Sequence, residues 1–166
     1  MQLITKNCLT SSFLVGMFSL YFLEQYTLMK LLTVFYFIID LPYTEKIEFI
    51  LHHYLASFLI IYTIFVTSPD YFIISFAKME ISSIFLVLMN FGYRGIVNKL
   101  LFFITFSYFR IYGSIKMLCN DELYEFCNEW CLLHLYFFIC LNLWWYCKIV
   151  RLLLRLFTFV NLLAKI

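Results

Sequence analysis

The 166-residue chain is 64% hydrophobic and only 13% charged, with a mean hydropathy of +0.91. A soluble domain averages roughly 45–50% apolar and about 25% charged residues, so this composition points to an integral membrane protein. A net charge of +2 with scattered cations argues against a nucleic-acid binder, and six cysteines without C-x-x-C spacing argue against a zinc knuckle or a disulfide-rich scaffold.

Six apolar segments follow one another, at approximately 8–23, 26–39, 48–67, 71–91, 98–118 and 130–149. A bilayer span takes ~20 residues, so the first two are short and the last four comfortable. None alternates apolar and polar residues as a barrel strand does. In lipid the backbone must then satisfy itself as helix. Lys6 precedes the first segment as in a signal peptide, but no small-x-small cleavage site follows, so a retained anchor is expected. The expected fold is all-α: one domain over 1–166, a polytopic transmembrane helical bundle of about six spans with a C-terminal amphipathic helix. The tail, 150–166, sets Arg151, Arg155, Thr158 and Lys165 along one edge in line with Lys148. Lys148, Arg151 and Arg155 are the expected membrane-surface residues, on a helix bending away from the sixth span to lie on the leaflet.

Loop charge predicts orientation. Arg94 and Lys99 lie between segments four and five with no acid, whereas Asp121, Glu122, Glu125 and Glu129 crowd the next loop. Basic loops stay cytosolic. Loop 92–99 and both termini are therefore expected in the cytosol, and loop 40–47 with them.

Ionisable residues inside a span are costly and should face the bundle interior. The third segment carries His52 and His53 side by side in EFILHHYLASFLIIY. Neighbours on a helix point ~100° apart, so the two rings address different partners. The fourth segment carries Lys78 and Glu80, with Glu80, Ser83, Val87 and Asn90 on one face and Ser75, Lys78 and Ser82 on the next. The fifth carries Ser107, Arg110 and Ser114 on one stripe. A cavity network of Asp40, Lys78, Glu80, Ser83 and Arg110 is expected. It either glues the bundle through ion pairs, with Glu80 neutralising Arg110 or Lys78, or lines a lipid-headgroup site. In the second case His52 and His53 are the catalytic candidates and Glu80 orients them. Cys127, Cys131 and His134 share a helical face that could hold zinc, although no fourth ligand is evident. Cys119 and Cys127 could form a disulfide. No metal site or cofactor is assigned.

Five motifs in order resemble the TLC domain of ceramide synthases, translocating-chain-associated membrane proteins and small lipid-homeostasis proteins. FYFIIDLPY (35–43) resembles its aromatic helix ending in aspartate, here Asp40, and EFILHHYLASFLI (48–60) its double-histidine helix. KMEISSIFLVLMNF (78–91), ITFSYFRIYGS (104–114) and LNLWWYCKIVR (141–151) resemble its Glu-x-Ser, Phe-x-x-x-Arg and Asn-x-Trp helices. The resemblance implies six or more spans around a cavity open to lipid, in the endoplasmic reticulum or plasma membrane. In ceramide synthases the paired histidines serve the N-acylation of a sphingoid base by acyl-CoA, which the likeness transfers to His52 and His53. Two synthase carboxylates are missing, their positions being held by Ile73 and Phe76, and Met79 replaces a leucine. That departure favours the non-synthase branch: lipid binding or membrane lipid homeostasis, with membrane lipids as partners, sphingolipid or acyl-CoA among them. An acyl-CoA-dependent N-acyltransferase and a structural or translocation-associated protein are the alternatives.

Overall fold

The structure, a computed structural model, describes residues 2–66 and 70–163. Among these residues every regular element is helical: α1 (Gln2–Phe22), α2 (Tyr26–Asp40), α3 (Ile47–Phe65), α4 (Tyr71–Met79), α5 (Ile81–Asn90), α6 (Ile96–Thr105), α7 (Gly113–Leu118), α8 (Asp121–Phe126) and α9 (Glu129–Leu163). A 3₁₀ turn, Leu41–Tyr43, follows α2, and a π-helix, Phe106–Tyr112, joins α6 to α7.

Among the described residues four stretches are long and apolar enough to cross a membrane: Tyr26–Tyr43, Ile47–Phe65, Phe72–Asn90 and Glu129–Arg155. They correspond to the second, third, fourth and sixth expected segments. Neither α1 nor the Ile96–Leu118 column is among them. Lys6 and Asn7 dilute the first; Lys99, Arg110 and Lys116 dilute the second. The helical columns form a closed ring in which α1 packs on α2, α2 on α3, α3 on α9, α9 on the π-helix, α6 on α5, and α5 on α1.

Local chemistry sets the breaks. Pro42 has no N–H to continue the ladder, so α2 ends at Asp40 and the chain turns through the 3₁₀ segment. The α1–α2 turn is a Schellman cap: Gln25 N–H donates to Leu20 O at 2.9 Å and Glu24 N–H to Tyr21 O at 3.2 Å. Glu24 takes the left-handed position of that cap, φ 56°. After α5 the same cap is built on Gly92, φ 101°, where the missing Cβ makes it inexpensive. Glu80 separates α4 from α5. Its N–H is shared between Phe76 O (3.2 Å) and Ala77 O (3.1 Å), and the Ser82 hydroxyl takes the Met79 carbonyl at 3.0 Å. α9 begins on Asn128, whose Oδ1 accepts the Cys131 N–H at 2.9 Å.

The tail corrects one expectation. The sixth span and the segment after residue 149 form one uninterrupted helix of 35 residues, about 52 Å at 1.5 Å per residue. Apolar side chains from Ile149 onward continue the helical pattern and no Pro or Gly interrupts it, so nothing in the backbone marks a bend. Lys165 lies outside the described residues.

Polarity is inverted relative to a soluble bundle. Asp40, His52, His53, Glu80, Ser82, Arg110 and Asn142 are all buried, while Phe35, Ile38, Leu51, Ile61, Ile104 and Phe137 face outward. Exposed apolar surface of this extent marks a face that meets lipid or protein rather than water.

Candidate functional site

Two buried polar clusters face a common cavity of about 250 Å³. The first is centred on Arg110, which the π-helix supplies. Its Nη2 donates to Glu80 Oε1 at 2.9 Å and to Ser83 Oγ at 3.0 Å. Its Nε donates to Ser82 Oγ at 2.9 Å, and Nη1 reaches Asn142 Oδ1 of α9 at 3.5 Å. Ser83 in turn donates to Glu80 Oε2 at 2.6 Å. Glu80 stands at the helix break and meets the guanidinium through Nη2 alone. The carboxylate is fully engaged, and a buried pair with this many hydrogen bonds is the form in which a charge survives inside a bundle.

The second cluster is centred on Asp40, at the end of α2. Its Oδ2 accepts from Thr44 at 3.0 Å and lies 3.5 Å from Lys6 Nζ and 3.6 Å from His53 Nε2. Lys6 also donates to Thr44 Oγ1 and to the Tyr43 carbonyl, which ties α1 to the α2–α3 turn. The two histidines part as their spacing requires. His53 packs against Phe37, ring centroids 4.7 Å apart, and points at Asp40. His52 enters an aromatic box of Phe138 (5.2 Å) and Trp145 (5.1 Å). Asp40 Oδ1 and His52 Nδ1 are buried without a hydrogen-bond partner among the described residues, and both residues line the cavity. A ligand with its own donors and acceptors would satisfy both.

Of the expected network, Asp40, Glu80, Ser83 and Arg110 reach the cavity, as do His52 and His53. Glu80, Ser83, Val87 and Asn90 line it together, in keeping with their shared helical face. Lys78 does not belong. Two residues before Glu80 it points away from the cavity, is exposed, and lines a separate recess with Lys116. Nor does Glu80 orient a histidine, since Arg110 holds it; the carboxylate beside His53 is Asp40. Lys148 is also reassigned. It sits at the cavity mouth, 3.3 Å from Glu48 Oε1 and 3.4 Å above the Trp144 ring, while Arg151 and Arg155 are exposed.

Three participants are not legible as site residues in the sequence: Lys6 and Ser82, which line the cavity, and Asn142, which contacts Arg110 without lining it. In the sequence Lys6 is only a flanking charge, and Asn142 stands only within the Asn-x-Trp motif. Asn142 is fully buried in an apolar run, and that isolation was the available signal.

The thiols also resolve differently from either expectation. Cys127 Sγ is 2.9 Å from Cys131 Sγ, Cys119 is free and exposed, and His134 stacks on Phe58 at 3.7 Å. Among the described residues no three metal-ligating side chains converge. The Cys127 thiol, just ahead of α9, is held below its ordinary range because the Cys131 thiol hydrogen-bonds to it.

No family model, curated protein or solved structure matches this chain. The likeness to the TLC domain therefore rests on the five motifs alone.

Proposed function

We propose that the chain is a multi-pass membrane protein of TLC type whose central cavity binds the headgroup of a membrane lipid in the service of lipid homeostasis. The observation that carries this reading is the convergence of Asp40, His52, His53, Glu80 and Arg110 on one buried cavity inside an apolar-surfaced bundle. Charged groups at such depth are functional sites by default. Four membrane-compatible helices support residence in a bilayer. About six spans, cytosolic termini, and an endoplasmic reticulum or plasma membrane location belong to the same proposal. The cavity carries fixed charges of both signs at separate points, which suits a zwitterionic or amide-bearing headgroup better than a simple anion. The experiment is comparative lipidomics of cells with the chain, without it, and with a Glu80→Ala, Arg110→Ala double variant expressed at equal level. A lipid class that changes with the chain and not with the double variant is expected. Identical profiles in all three would refute the reading.

One contact favours the second reading, an acyl-CoA-dependent N-acyltransferase. His53 Nε2 faces the Asp40 carboxylate at 3.6 Å, the pairing that prepares an imidazole to take a proton from an amine nucleophile. On that reading His52→Ala and His53→Ala each abolish acyl transfer without reducing membrane expression. Unchanged sphingolipid and acyl profiles in the double variant would leave the pair a packing role.

A further inference from the structure

Four cations of the bundle are matched by an acid. Lys6 meets Asp40, Lys30 meets Asp70 at 3.3 Å, Arg110 meets Glu80, and Lys148 meets Glu48. Lys78 differs from these four. It lies seven residues into α4, about 10 Å along the axis from that helix's first residue, within the membrane-compatible stretch Phe72–Asn90. It makes no ion pair or hydrogen bond among the described residues. Lys116 of α7 is likewise unpaired, and the two line one recess of about 690 Å³ between α4, the π-helix and α7. Among the described residues no acidic side chain lines that recess.

A lone ammonium at this depth is costly, and two facing the same space repel. An anion held between them removes both penalties. The remaining walls indicate its form. Ser75 and Asn120 offer neutral polar groups, and Ile74 and Phe109 offer apolar wall. Tyr108 and Tyr112 stack at 5.5 Å on the rim and are more than half exposed, as interfacial aromatic residues are. A recess with cations, an apolar wall and an aromatic rim suits an amphiphile with an anionic head, rather than a free ion, which needs no apolar wall.

We infer that the recess holding Lys78 and Lys116 is a binding site for the phosphate headgroup of an anionic phospholipid, separate from the central cavity. The inference rests on membrane residence but not on the cavity's ligand.

The test is native mass spectrometry of the full chain in detergent, titrated with phosphatidylglycerol or with phosphatidylcholine of the same acyl length. One phosphatidylglycerol is expected to bind in preference to phosphatidylcholine and to resist millimolar inorganic phosphate. Lys78→Gln with Lys116→Gln should weaken it roughly 30-fold, two cations' share of headgroup attraction. Lys78→Arg with Lys116→Arg should retain it, and so should Arg151→Gln with Arg155→Gln. Equal binding of the two lipids, or binding that ignores the glutamine pair, overturns the site. Displacement by inorganic phosphate overturns the lipid as its occupant. His52→Ala with His53→Ala probes the central cavity independently and should leave this adduct intact. Failure of the chain to sediment with membranes would be the failure of membrane residence itself.

Discussion

Replacing Glu80 with alanine should be among the most damaging single changes available to the bundle. Among the described residues the carboxylate is the only anion in contact with Arg110, and both side chains are less than a tenth exposed. Without it the guanidinium keeps Ser82, Ser83 and a long contact to Asn142, all neutral. Breaking a buried pair from one side costs about 3–5 kcal/mol, because the surviving charge is left uncompensated. At roughly 2–4 °C per kcal/mol for a chain of this size, the midpoint for thermal unfolding of the detergent-solubilised protein should fall by about 6–20 °C. Replacing the pair together, Glu80→Met with Arg110→Met, removes both charges at similar volume and should cost far less than Glu80→Ala alone. Circular dichroism melts of the parent, Glu80→Met, Arg110→Met and the double variant close the cycle, with Glu80→Ala measured beside them. A drop of under about 2 °C for Glu80→Ala, or a double variant as damaged as the single, would refute the reasoning.

Four further outcomes are expected. Phe76→Asp places a carboxylate where the synthase family has one, but Phe76 is packed between Phe37 and Phe138 at about 6 Å; it should lower stability by more than ~3 kcal/mol without conferring activity. The purified parent should show little ceramide synthase activity, and robust turnover of a sphingoid base with acyl-CoA would contradict that. Alkylation of Cys127, followed by peptide mass spectrometry with Cys119 as internal reference, should half-saturate at a pH below the ~8.5 of a free thiol, and Cys131→Ala should move it upward. Because the fold favours the thiolate, the pair's contribution to stability is present above the unfolded thiol's pKa and is lost as the pH falls through the folded value. Glu24→Gly relieves a left-handed backbone position and should raise the melting point by a few degrees; a fall would mean that the Glu24 side chain contributes more than its φ costs.

The cost of burying charge made Asp40, the histidine pair, Glu80 and Arg110 legible in the sequence, since each stands in an apolar run that could not carry it outward. Helical spacing also grouped Glu80 with Ser83, Val87 and Asn90. The pairings themselves were not legible. Which helix faces which depends on the ring order and on the irregular turns at Glu80 and Phe106–Tyr112, and single-helix periodicity contains neither. Lys78 was misplaced for that reason: proximity along the chain put it beside Glu80, while the winding turned it to another surface. Ser107 shows the same limit. It shares a nominal stripe with Arg110 but bonds back to Phe103 O at 2.7 Å and stays out of the network. The cations of the tail suggest a separate helix after the sixth span, whereas continuity of the helix depends on backbone propensity, which nothing interrupts.

The π-helix that carries Arg110 has a consequence for chain length. A π turn holds one residue more than an α turn, so its seven residues could lose one and rewind as ordinary helix with little damage to the fold. The rewinding would swing Arg110 by ~100°, away from Glu80, Ser82 and Asn142. Related chains should therefore tolerate insertions and deletions in the loops 91–95 and 119–120 but none between 106 and 112. A single-residue deletion there would yield a protein that still inserts and folds while its central charge pair is parted.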